Sequence, residues 1–179
     1  MTSMTSHVPI SIRPHLVNFF FQEVEGEEVH YLKYRCKSFM LHKSAALNAI
    51  IQIVLVSADM PIHPSDLSLL LEINEAQAKR TFNGTMFQPV SGQNHFLKVP
   101  PEANRIINDL MDDIFRISFF YYVQGHLENR TTKEVTLIDA IYRFMEKYEL
   151  MEFGFNMSSL RRMYYRMLNS QGKLNILKR

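Results

Sequence analysis

The 179-residue chain has one cysteine, Cys36, so no disulfide can form within it. A reducing compartment is therefore expected rather than secretion. It also lacks a long apolar run. The longest, residues 45–56, is interrupted by Asn48 and Gln52 and falls short of the roughly 20 residues that span a bilayer. The first residues, MTSMTSHVPISI, have neither the charged nor the apolar block of a signal peptide. These absences predict a cytoplasmic protein with no membrane partner. No Gly-rich phosphate loop, nucleophile elbow or zinc-protease motif occurs, so nothing indicates an enzyme. The seven histidines are scattered, and none pairs with another or with Cys36 at a metal-ligand spacing. Asp109 and Asp113 share a helical face with Asp112 nearby, but further oxygen ligands for a hard cation are missing, so solvated carboxylates are expected there. The expectation is no metal, no cofactor and no small-molecule substrate.

One further absence is positional. No acidic residue follows Glu152, whereas Arg161, Arg162, Arg166, Lys173, Lys178 and Arg179 do, a local charge of +6. Residues 1–152 hold 14 basic against 18 acidic side chains, a net −4. Such asymmetry suits a polyanion-facing end, and equally a solvated tail.

What the chain does have is an ordinary globular composition. Apolar residues make up 46% of it, with 13 Phe, 8 Tyr and 11 Met, which excludes disorder and supplies a core. Residues 8–12 suit a short strand, residues 16–24 either helix or strand, residues 25–28 a turn and residues 29–34 a strand. Residues 44–56 predict a buried helix, although their β-branched content also suits a strand. Residues 86–90 and 95–99 flank Ser91-Gly92-Gln93-Asn94 as a hairpin would. Pro101 opens a long helix expected to reach Gln124, with Gly125 ending it. Ile106, Ile107, Leu110, Met111, Ile114 and Ile117 form its stripe, and its aromatic end (residues 119–123) belongs in a core or a dimer interface. Thr131 and Glu134 fit a capping box. The next helix carries Ile138, Ile141, Tyr142, Met145 and Tyr148 on one face. The last predicted helix, residues 158–169, has Leu160, Met163, Tyr164, Met167 and Leu168 on one face and Arg161, Arg162, Tyr165, Arg166 and Asn169 on the other, with Gly172 as a stop.

Residues 66–82 read DLSLLLEINEAQAKRTF, two short helical patterns around a three-residue turn. Leu67, Leu71, Ile73 and Ala78 take inward positions, Ser68 is small where the helices would approach, and Phe82 closes the second helix. The segment resembles the helix-turn-helix of bacterial transcription factors. With the helix before it and the hairpin after it, residues 41–99 are similar to a winged helix. The resemblance implies that Asn74, Glu75, Ala76, Lys79, Arg80 and Asn83 face a DNA major groove, with Lys98 and the hairpin turn beside the phosphates. Glu72 replaces the usual turn glycine, and residues 41–99 are electrically neutral. The missing positive charge lies on Arg161, Arg162, Arg166, Lys173, Lys178 and Arg179, with the Tyr165 phenol among them, and guanidinium and phenol groups suit phosphate or guanine.

The expected fold is mostly α, an α+β arrangement in three parts. Residues 1–40 form a small strand region, 41–100 a winged-helix-like domain and 101–179 a helical region. The expected function is non-catalytic binding of double-stranded DNA, as a transcriptional regulator or DNA-handling factor of a phage or mobile element. A homodimer through the 101–124 helix would match paired half-sites. The alternative is a protein–protein assembly module in which the winged helix is scaffold.

Overall fold

The computed structural model describes residues 5–42, 44–58, 60, 62–64, 68–74, 97–128 and 136–170. The fold is α+β, with strands toward the N-terminus and helices toward the C-terminus. In order the elements are β1 (Thr5–Ser11), α1 (Pro14–Glu23), β2 (Glu27–Tyr31), β3 (Tyr34–Met40), α2 (Ala46–Val54), β4 (Val56–Ser57), β5 (Ser68–Asn74), β6 (Leu97–Lys98), α3 (Pro101–Glu128), α4 (Leu137–Lys147), a 3-10 turn (Leu150–Phe153) and α5 (Met157–Asn169). No helix among the described residues is long and apolar enough to cross a membrane.

The chain forms two compact units. The first comprises residues 1–13 and 20–108, the second residues 14–19 and 109–179.

The first unit is built on a four-stranded mixed sheet in the order β1-β5-β3-β2. β5 lies inside it, antiparallel to β1 and parallel to β3. Its Ser68, Leu69, Leu70 and Leu71 are all buried, so both faces of this strand are covered. That overturns the first helix expected within residues 66–82. A run of consecutive apolar residues has no one-sided helical period, and it suits a strand buried on both faces. The recognition helix expected over residues 75–83 lies outside the described residues. So does most of the expected hairpin, whose Leu97 and Lys98 pair with Ser57 and Val56. Because β3 pairs with β5, residues 1–40 share a sheet with the 41–100 segment rather than forming a separate part.

Local chemistry fixes the rest of this unit. β2 and β3 make a hairpin through Leu32 and Lys33, with Leu32 at φ 56°. Gly26 sits where a Cβ would come within 2.5 Å of the Ser38 carbonyl oxygen, so no other residue fits without backbone movement. Asn108 accepts from the Arg13 backbone N–H at 2.8 Å and donates to Ser11 O at 2.9 Å. That joins the end of β1 to the start of α3. Gly125 lies inside α3 and does not end it.

The second unit is helical, and its core is aromatic. Phe19, Phe115, Phe119 and Phe144 are fully buried and meet edge-on or tilted, with centroids 5.1–6.4 Å apart. Such contacts add about 0.5–1.5 kcal/mol per pair beyond area burial. The expected α3 stripe is only partly right here: Met111 is buried, whereas Leu110, Ile114 and Ile117 are half-buried. The buried line passes instead through Phe115, Phe119, Phe120 and Val123. In α4, Ala140, Ile141, Phe144 and Met145 point inward, while Ile138 and Tyr142 of the expected stripe are exposed.

Candidate nucleic-acid interface

α5 is the one described element that gathers several of the expected DNA-binding residues, and its setting begins with caps. Thr136, not Thr131, caps α4: its Oγ accepts from the Asp139 N–H at 3.2 Å, and Asp139 Oδ2 accepts from the Thr136 N–H at 3.0 Å. Residues 131 and 134, the expected box, lie outside the described residues. The Thr136 hydroxyl and N–H hold the Asp139 carboxyl below its usual range. The connector after α4 turns twice through left-handed backbone, at Glu149 (φ 54°) and Gly154 (φ 77°). Glu149 is tied down by the buried Asn18, whose Nδ2 donates to its Oε2 at 2.7 Å. Asn156 and Ser159 then form a reciprocal capping box that starts α5.

The inner face of α5 is Leu160, Tyr164 and Met167, all buried. Tyr164 stacks on Phe120 at 5.6 Å, and Gln124 Nε2 donates to its hydroxyl oxygen at 2.8 Å. Burial pushes the Tyr164 phenol up, so it remains protonated. These contacts fix the rotation of α5 about its own axis. Leu168, expected on the inner face, is 43% exposed.

The outer face carries Ser158, Arg161, Arg162, Tyr165, Arg166 and Asn169, all exposed. Arg161 lies over the Tyr165 ring, 5.7 Å from its centroid. No carboxylate among the described residues pairs with Arg161, Arg162 or Arg166. Three guanidinium groups therefore stand on about one and a half turns of helix, with no ion-pair partner among the described residues. Unpaired guanidinium groups suit phosphates, and each such contact would release counterions.

Comparison of the chain with family models, with curated proteins and with solved structures finds no match. The site thus stands on its own geometry.

Of the other expected residues, the two that are described belong to the first unit. Asn74 ends β5, inside the sheet of the first unit. Lys98 is exposed on β6, also in the first unit. Glu75, Ala76, Lys79, Arg80, Asn83, Lys173, Lys178 and Arg179 lie outside the described residues. Ser158, beside Arg161 and Arg162 on the outer face, was not among the expected contacts, although its helical spacing would have placed it there.

Several polar groups elsewhere are engaged in the fold. Asp112, expected to be solvated, is buried: its Oδ1 accepts from His15 Nε2 at 3.1 Å, and Oδ2 pairs with Arg116. His15 is walled by Phe115 and Phe155 at 4.9 and 4.8 Å. Ser38 is fully buried, with Oγ 3.2 Å from Leu70 O and 3.0 Å from Glu72 Oε1. Burial pushes the Cys36 thiol up, away from the reactive thiolate. No group of three or more metal-ligating side chains forms among the described residues.

Proposed function

We propose that this chain is a non-catalytic DNA-binding protein whose C-terminal helical unit grips the phosphate backbone through α5. The observation that carries the reading is the outer face of α5, where Arg161, Arg162 and Arg166 are exposed with no acidic partner among the described residues. The engagement of His15 and Ser38 in packing and internal bonds fits a binding role better than a catalytic one. The lone Cys36 fits a reducing, cytoplasmic setting.

The test is binding of the full chain to random-sequence duplex DNA across a salt series. Affinity is expected to fall steeply with salt, by about 0.9 log units per log unit of salt for each phosphate contact. Arg161→Ala with Arg162→Ala and Arg166→Ala should make the slope shallower by about two to three. Absence of binding at low salt defeats the proposal. That result would favour a protein-docking role, for which Ile53 and Met60, each 74% exposed, are the starting point.

A further inference from the structure

The rotation of α5 divides its outer face into parts with different tasks. Residues on a helix advance by about 100° each. Leu160, Tyr164 and Met167 define the inward direction by their burial. Directly opposite lie Ser158, Arg162, Tyr165 and Asn169, within roughly 60° of one another. Arg161 and Arg166 flank that strip, roughly 140° apart and on opposite sides of it.

A B-form major groove is about 12 Å wide, and a helix with its side chains is about 10–12 Å across. A helix seated there puts its outermost strip against the base edges and its two flanks toward the two phosphate walls. The order of side chains on α5 fits that demand. A guanidinium and an amide lie on the strip, and one guanidinium lies on each flank. Ser158 to Asn169 span about 16 Å along the axis, roughly the length of five base-pair steps. Tyr165 contributes a second constraint, because its ring lies beneath Arg161 and limits the positions that guanidinium takes.

Resting on the DNA-binding reading above, we infer that α5 enters the major groove of B-form DNA and reads sequence. Arg162 and Asn169 address base edges, and Arg161 and Arg166 hold the opposite phosphate strands. Guanine is the partner suited to Arg162 through its O6 and N7 acceptors, and adenine the partner suited to Asn169. An A-form RNA duplex is excluded by its deep, narrow major groove.

The experiment is selection by the full chain from a pool of duplexes with a randomised core, followed by sequencing. The unmodified chain should enrich a short motif that includes a guanine. Arg162→Ala should lower the preference for that guanine by about tenfold or more. Arg161→Ala and Arg166→Ala should keep the motif, weaken all sequences alike and each reduce the salt slope by about one. Circular dichroism should be unchanged in all three, because each side chain is exposed. Three outcomes overturn the inference while leaving phosphate binding intact. They are DNA binding with no enriched motif, equal binding of an RNA duplex of the same sequence, and equal loss of the motif in all three variants. No binding to any duplex at low salt overturns both readings.

Discussion

Asp112 accepts from His15 and pairs with Arg116 while lying almost wholly out of water. A buried carboxylate in that position costs desolvation energy that only its partners offset. Removing it leaves the Arg116 guanidinium without this partner and an imidazole N–H between aromatic walls. Asp112→Ala should therefore cost about 3 kcal/mol, the lower end of the range for breaking a buried pair, because Arg116 keeps some contact with water. Asp112→Asn keeps an acceptor and should cost clearly less. Urea unfolding of the two variants checks the order, and a cost below about 1 kcal/mol for the alanine variant would show that the cluster is not holding the unit. Nothing local in the sequence announces this cluster. His15 and Asp112 are separated by 97 positions, and an i, i+4 spacing between Asp112 and Arg116 reads equally well as a solvated helical pair.

At the scale of elements, amphipathic helices were legible and the buried strand was not. α5 starts one residue before its expected first position and ends where the spacing puts it, because one arc of apolar side chains and one of polar ones leave a single stable rotation. β5 offers no such contrast. SLLLEIN places leucines at helical and at strand positions alike, and only pairing with β1 and β3 decides between them. The capping of α4 was obscured for a related reason. Thr131 to Glu134 and Thr136 to Asp139 are both plausible boxes, and the sequence does not say where the helix begins. The box at Thr136 and Asp139 carries a prediction about pH. Asp139 has a folded value below the ordinary 3.8, with the Thr136 hydrogen bonds as the main cause. A depressed carboxyl pKa means that the stabilising contribution is fully present above the ordinary value. It is lost as pH falls from there through the folded value. Helix content followed by circular dichroism should show this acid-dependent loss, and Asp139→Asn should remove that part of the dependence. An unchanged acid profile in the variant would place the effect elsewhere.

For the whole molecule, the number of copies acting together matters to the proposed DNA binding, because it would set the length of DNA read. The expected dimer spine was α3, on the strength of an apolar stripe and an aromatic end. In the folded chain much of that apolar surface is already used: Ile107, Met111, Phe115, Phe119, Phe120 and Val123 are buried within the same chain. The exposed positions of α3 mix Glu102, Arg105, Ile106, Asp109 and Tyr121. Ile106 and Tyr121 lie about 22 Å apart along the axis, linked only by the half-buried Leu110, Ile114 and Ile117 at i+3 and i+4 spacings. A stable interface needs about 800 Å² per partner with a continuous apolar centre, and a line of three half-buried side chains between two exposed ones is narrow for that. Sedimentation at micromolar concentration should therefore give the mass of a single chain. A species of twice that mass, lost on combining Ile106→Asp with Tyr121→Asp, would restore α3 as the spine. The outcome bears directly on the DNA. On the proposed reading one copy of α5 would reach about five base-pair steps, so a single chain should enrich a short motif without two-fold symmetry, whereas a dimer would require two half-sites at a fixed spacing. Short motifs carry few base contacts. A single chain would then draw most of its affinity from phosphates and should release duplex DNA at salt concentrations that a dimer on paired half-sites would withstand.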